Sequence, residues 1–145
     1  MDSTKRGANL NTHHLLIVDD DLLTLHIVAD RLSEDGYSIH QATNAYEAFD
    51  ILEAHPIQVV LSDHQMPMLT GIELLIQIKT SYPDIIRLIT SSDPDQRIFY
   101  EAMEQKIAHN FIPKGDIDIL SLCVSSAFQL YELEKEFKEA QLRNT

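Results

Sequence analysis

The sequence predicts an α/β domain, a parallel sheet of five strands with helices packed on both faces. Three observations predict it. Short β-type apolar runs alternate five times with longer amphipathic segments. Apolar residues make up 44% of the 145-residue chain, enough for one core of ordinary size. The polar residues capable of chemistry stand where the apolar runs end, which is where such sheets place their working sites.

The elements follow in order. Residues 14–18 (HLLIV) form a β-type run. A helical stripe over 22–33 puts Leu22, Leu25, Val28, Ala29 and Leu32 on one face, with Asp21 as N-cap and Gly36 as the stop. Residues 38–42 are a weaker strand. Asn44 caps a second helix, and Glu47 stands in the capping-box position. Its apolar face is Ala45, Ala48, Phe49 and Leu52, and Pro56 ends it. Residues 57–62 (IQVVLS) read as a buried strand, followed by a loop holding Met66, Pro67 and Gly71. A third helix spans 72–81, ahead of Pro83, and 85–91 (IIRLITS) is the fourth strand. A fourth helix covers 95–108, a brief strand covers 110–113, and from 117 the chain is helical nearly to its end.

Residues 129–144 are charged, with Leu130, Leu133, Phe137 and Ala140 in an a/d-like spacing too short for a coiled coil. They read as a frayed helix end, or as a signalling helix that forms a homodimer or leads to an output domain. The predicted organisation is a loose tail over 1–12, a domain over 13–128 and a helical extension over 129–145.

Charge and composition exclude several functions. A formal net charge of −12 repels nucleic acid and anionic membrane, so direct binding to either is not expected. No apolar run approaches the roughly 20 residues that span a bilayer. Residues 1–12 lack a signal peptide's apolar core, so the cytoplasm is the expected compartment. Cys123 is the only cysteine, which rules out an intrachain disulfide and a thiolate metal cage. It reads as a small buried core residue. The seven histidines (His13, His14, His26, His40, His55, His64 and His109) show no helical zinc spacing and read as surface or edge residues.

The strand ends carry the chemistry. The first run ends at Asp19 and Asp20, the third at Asp63, the fourth at Thr90 and Ser91, and the fifth at Lys114. Three carboxylates brought together raise one another's pKa, and a divalent cation resolves that conflict. Mg²⁺ takes oxygen ligands and commonly bridges carboxylates and a phosphoryl group. An aspartate carboxylate is a competent nucleophile for phosphoryl transfer. The transfer needs mostly positioning and charge neutralisation, which Mg²⁺, Lys114 and the Ser91 hydroxyl can supply.

Here the sequence resembles the response-regulator receiver domains of two-component signalling, over roughly residues 15–128. VVLSDHQMPMLTGIELL (59–75) carries the D-x-x-M-P-x-x-x-G pattern, LLIVDDD (15–21) the acidic pair, and FIPK (111–114) the lysine motif. The resemblance implies a flavodoxin-like (βα)5 sandwich with strand order 2-1-3-4-5. It implies Asp63 as phosphoacceptor, fed by a sensor histidine kinase or a phosphotransfer protein. Asp19, Asp20, Asp63 and the backbone carbonyl of Gln65 would hold Mg²⁺, and Lys114 would contact the phosphoryl group. Ser91, which fits the register better than Thr90, would be the switch hydroxyl, and Phe111 the aromatic switch that packs inward on phosphorylation. The helix 4–strand 5–helix 5 surface would report the change. Such a domain is a phosphorylated switch, not a turnover enzyme.

Two departures stand out. Gly115 follows Lys114 where the family usually has proline, and Ser92 and Asp93 replace the usual residues after the hydroxyl. Gln65 and Asp93 occupy positions that tune phosphoryl lifetime in this family. A phosphorylation-independent interaction scaffold on the same fold is the alternative reading.

Overall fold

The computed structural model describes residues 13–144; the predicted tail over 1–12 lies outside the described residues. The apolar runs become strands β1 (His14–Val18), β2 (Ser38–Ala42), β3 (Val59–Asp63), β4 (Ile86–Ser91) and β5 (Asn110–Pro113). All pair in parallel, in the order β2-β1-β3-β4-β5. The helices are α1 (Leu22–Ser33), α2 (Ala45–Ala54), α3 (Gly71–Ser81), α4 (Arg97–Glu104) and α5 (Ile117–Arg143). The chain leaves β1 for one side of the sheet and later returns to its other side. The switch point therefore lies at the carboxyl ends of β1 and β3.

The period of two along each strand builds two cores. Leu16, Val18, Val60 and Ile89 pack with Ala48, Leu74 and Phe99 of α2, α3 and α4. Leu15, Ile17, Val59, Leu61 and Leu88 pack with Leu25, Leu32, Val124 and Phe128 of α1 and α5. Both faces of β1, β3 and β4 are covered, which is why these strands read as unbroken apolar runs. Cys123 is half-buried at the rim of the second core rather than inside it.

Local chemistry moves several predicted boundaries. β3 begins at Val59, and Gln58 just before it clamps the start of β1. Its side-chain Oε1 accepts from His14 N at 2.7 Å, and its N donates to His14 O at 3.1 Å. Helix α4 is shorter than the 95–108 the periodicity predicts. Lys106 takes φ 61, and the amides of Ile107 and Ala108 turn back to Ala102 O at 2.8 and 3.3 Å. Asp95 stays outside α4 and accepts from Arg97 N at 3.2 Å.

The capping box predicted at α2 is only half made. Asn44 Oδ1 accepts from Glu47 N at 2.9 Å, but Glu47 Oε1 accepts from Thr43 N at 2.6 Å instead of from Asn44. The reciprocal box stands at α3, between Thr70 and Glu73. Helix α5 is continuous to Arg143. Lys138 pairs with Asp84 and holds the extension against the α3–β4 loop.

Arg87 is buried within β4 with no carboxylate partner among its contacts. Its guanidinium donates to the carbonyls of Ile107 (2.8 Å), Ile85 (2.9 Å), Lys106 (3.0 Å) and Pro83 (3.3 Å). It ties the amino end of β4 to the turn after α4. The strand pattern IIRLITS gave no sign of this, because an arginine inside an apolar run looks like an interruption.

Candidate functional site: an acidic cluster at the strand ends

The parallel register carries the ends of β1, β3, β4 and β5 to one edge. Asp63 is the last residue of β3 and is paired with Thr90 of β4. One carboxylate oxygen from each of Asp19, Asp20 and Asp63 lies within 4.8 Å of the others. Asp19 and Asp63 are buried and Asp20 is exposed, so the cluster opens to solvent on one side. Asp19 is held by Asp21 N, which donates to its Oδ1 at 2.9 Å. Asp21 caps α1, its Oδ1 accepting from Leu23 N at 3.2 Å.

Lys114 reaches in from the end of β5. Its Nζ lies 3.1 Å from Asp19 Oδ2 and 3.1 Å from Asp63 Oδ1. The Asp19 contact is aligned as a hydrogen bond, and the buried Asp63 Oδ1 meets Lys114 as an ion pair. Burial pushes the Asp63 pKa up. Lys114 opposes this, while Asp19 and Asp20 add to it, and the net shift is upward. Burial pulls the Lys114 pKa down, but Asp63 and Asp19 outweigh it and the net shift is upward.

Gly71 explains the last position of the D-x-x-M-P-x-x-x-G pattern. A β-carbon there would sit 2.3 Å from Asp63 O and 2.6 Å from Ile89 Cδ1. Only glycine lets the start of α3 press against the end of β3, where Gly71 N donates to His64 O at 3.0 Å. Gly115, in the place of the family's proline, adopts φ +142.

The two hydroxyls at the end of β4 separate cleanly. Thr90 Oγ1 donates to Ile112 O at 2.7 Å, which commits it to β5. Ser91 is buried one residue further on, and its Oγ accepts from Asp93 N at 3.0 Å. Gln65 is exposed on the loop directly after Asp63 and His64.

Phe111 is 8% exposed and stacks on Phe99, with ring centroids 4.4 Å apart and planes 10° from parallel. The ring stands inward in this structure, against Phe99. His64 meets Phe99 edge-on, with ring centroids 5.1 Å apart. Its Nδ1 accepts from Ile72 N at 3.3 Å. Sequence reasoning left His64 without a role. The structure makes it the first member of a ring series running from beside Asp63 to Phe111.

A five-stranded parallel sheet in the order 2-1-3-4-5 with helices on both faces is a flavodoxin-like α/β fold. The response regulator receiver domain family matches residues 15–122, and the chain belongs to it. It is 28% identical over 127 residues to the hydrogenase transcriptional regulatory protein HoxA of Bradyrhizobium diazoefficiens, covering 87% of this chain and 26% of that protein. The signal receiver domain of an HD domain-containing protein from Pseudomonas fluorescens Pf-5 superposes with a TM-score of 0.78 at 26% identity, over 83% of this chain and 97% of that one. The response regulator TrrA from Thermotoga maritima shares the fold, with a TM-score of 0.72 at 23% identity over 79% of this chain and 98% of that one. The chain spans about a quarter of the length of the HoxA and ZraR relatives it matches. No helix among the described residues is long and apolar enough to cross a membrane.

Proposed function

We propose that the chain takes a phosphoryl group onto Asp63 from the phosphohistidine of a sensor histidine kinase or phosphotransfer protein. One observation carries the reading: the buried Asp63 carboxylate stands beside two further carboxylates, with the Lys114 ammonium 3.1 Å from its Oδ1. Three carboxylates that share one ammonium suit a cation, and an aspartate among them suits an attacking nucleophile.

The donor set fits Mg²⁺. Carboxylate oxygens of Asp19, Asp20 and Asp63 would hold it, with the carbonyl of Gln65 as a further ligand and the exposed side left for water. The TrrA structure was determined with Mg²⁺ and BeF bound, which supports the same use here. The ion would neutralise charge on the transferring group.

The chain's own residues do the rest. A carboxylate oxygen of Asp63 attacks phosphorus, the P–N bond to the donor imidazole breaks, and an acyl phosphate forms on Asp63. Lys114 leaves Asp63 to pair with a phosphoryl oxygen while its bond to Asp19 keeps it in place. Ser91 turns its hydroxyl from the Asp93 amide toward the new group. Since Phe111 already stands inward, the signal passes through the Phe99–Phe111 stack to the surface formed by α4, β5 and α5. The chain acts as a switch rather than as a turnover enzyme. A second copy is the occupant for the exposed stripe of Leu130, Leu133 and Phe137 on α5.

A small phosphodonor with Mg²⁺ tests the assignment. The wild-type chain is expected to take up one phosphoryl group, and Asp63→Asn none. Full labelling of that variant overturns the reading. Wild-type protein that neither binds Mg²⁺ nor labels supports the scaffold alternative.

A further inference from the structure

Three of the histidines read as surface residues converge at the opposite end of the sheet from Asp63. His14 opens β1, His40 sits within β2, and His55 follows the last turn of α2. In the register, His40 pairs with Leu16, so His14 and His40 point to the same face, one step apart. Their ring nitrogens meet: His14 Nδ1 is 3.1 Å from His40 Nε2, with centroids 5.3 Å apart. His55 packs on His40 with centroids 4.3 Å apart and planes tilted by 39°.

The main chain of His14 is fixed by the Gln58 clamp, which sets where its ring can go. Two imidazole nitrogens bound tetrahedrally to one zinc ion, each about 2.0–2.1 Å away, stand roughly 3.3 Å apart. The observed separation of 3.1 Å is close to that span. It also suits a single shared N–H proton, the species a metal ion would displace.

We propose that His14 Nδ1 and His40 Nε2 form a binding site for a zinc-class divalent metal ion, with His55 turning in as third ligand and water as the fourth. The acidic trio is the only group among the described residues with three ligand atoms already within 4.8 Å of one another, so rotation of His55 is required. His55 is exposed, and its turn disturbs no core packing. Burial and the neighbouring histidines hold His14 and His40 below the usual imidazole pKa, which favours the neutral rings a metal ion binds. The charged groups acting on these two rings are all imidazoles: His13 and His55 on His14, and His14 and His55 on His40. A site of neutral nitrogens without carboxylates selects zinc, nickel or copper over Mg²⁺. The two ends of one sheet would thus take two chemically distinct cations.

The test is zinc uptake by the full chain with excess Mg²⁺ present to occupy the acidic site. One zinc ion per chain is expected for the wild type and for Asp63→Asn. His14→Gln and His40→Gln are each expected to weaken uptake at least tenfold, with folding checked by circular dichroism. Cobalt added to wild-type protein gives a readout that needs no variant, because nitrogen ligation in a tetrahedral site yields strong visible absorption bands. Absence of zinc uptake by the wild type overturns the proposal. So does uptake unchanged in His40→Gln, uptake lost in Asp63→Asn, or a cobalt spectrum of all-oxygen, octahedral type.

Discussion

The two ends of the sheet handle buried charge in opposite ways. At the amino end of β4, Arg87 is buried and every contact of its guanidinium is a backbone carbonyl. Nearby, His109 Nδ1 accepts from Arg87 N at 2.9 Å, and burial holds the ring neutral. At the carboxyl end, Asp63 is just as buried but faces two like charges, with Lys114 as their shared counter-ion. A satisfied buried charge stabilises only its own geometry. One crowded by like charges leaves free energy for a ligand or a covalent group to relieve. Removing the buried charge at the amino end should therefore destabilise the protein, whereas removing the one at the carboxyl end should alter its chemistry at little cost in stability.

The largest expected effect is at Arg87. Arg87→Leu keeps the apolar strand but removes the donors to four carbonyls, and should destabilise the chain by about 3 kcal/mol in denaturant unfolding. Phosphoryl labelling of the fraction still folded should stay intact. A loss below about 1 kcal/mol would mean that water replaces the guanidinium and that this end is not tightly satisfied.

Gly71→Ala comes next and acts at the other end. The new β-carbon meets Asp63 O at 2.3 Å, which forces α3 away from β3. We expect about 2 kcal/mol of destabilisation, with labelling slowed beyond what unfolding explains. Wild-type labelling rates would show that the end of β3 can shift without harm.

Asp63→Asn should have the opposite sign. The Asp63 pKa is raised in the fold, so the ionised carboxylate opposes folding at neutral pH. Without Mg²⁺, removing its charge should stabilise the chain by about 1 kcal/mol, while labelling is lost. A clear destabilisation would show that the pairing with Lys114 outweighs burial.

The site was legible in the sequence because each of its members ends an apolar run. Asp19, Asp20, Asp63 and Lys114 needed only the rule that parallel strands bring their carboxyl ends together. The strand order was legible through the family resemblance, not through periodicity. The amino end was not legible. Arg87 makes contacts with Pro83, Ile85, Lys106 and Ile107, which depend on how the turn after α4 folds. That turn rests on the positive φ of Lys106, which no residue type there announces. His14, His40 and His55 come from three elements, so no local spacing could join them. The early end of α4 was hidden for the same reason, since Ile107 continues the apolar stripe while the backbone has already left the helix.

The smallest predicted effect is on pH, and it separates the two ends by sign. His109 has its pKa lowered from 6.5 to about 4, by burial first and by Arg87 second. A neutral His109 therefore favours the fold. Its contribution is complete above about pH 6.5 and is lost as the pH falls toward 4. Asp63, with a raised pKa, works the other way: stability falls as the pH rises from 3.8 through its folded value. His109→Asn keeps an oxygen where Nδ1 accepted from Arg87 and does not titrate. It should flatten the acid slope between pH 6.5 and 4 by about 1 kcal/mol, after discounting for the ring's partial exposure. Asp63→Asn should steepen the same slope, because the opposing contribution is gone. His14, His40 and His64, also lowered, set the slope that remains in His109→Asn. If the two variants moved the slope in the same direction, charge would not be handled oppositely at the two ends.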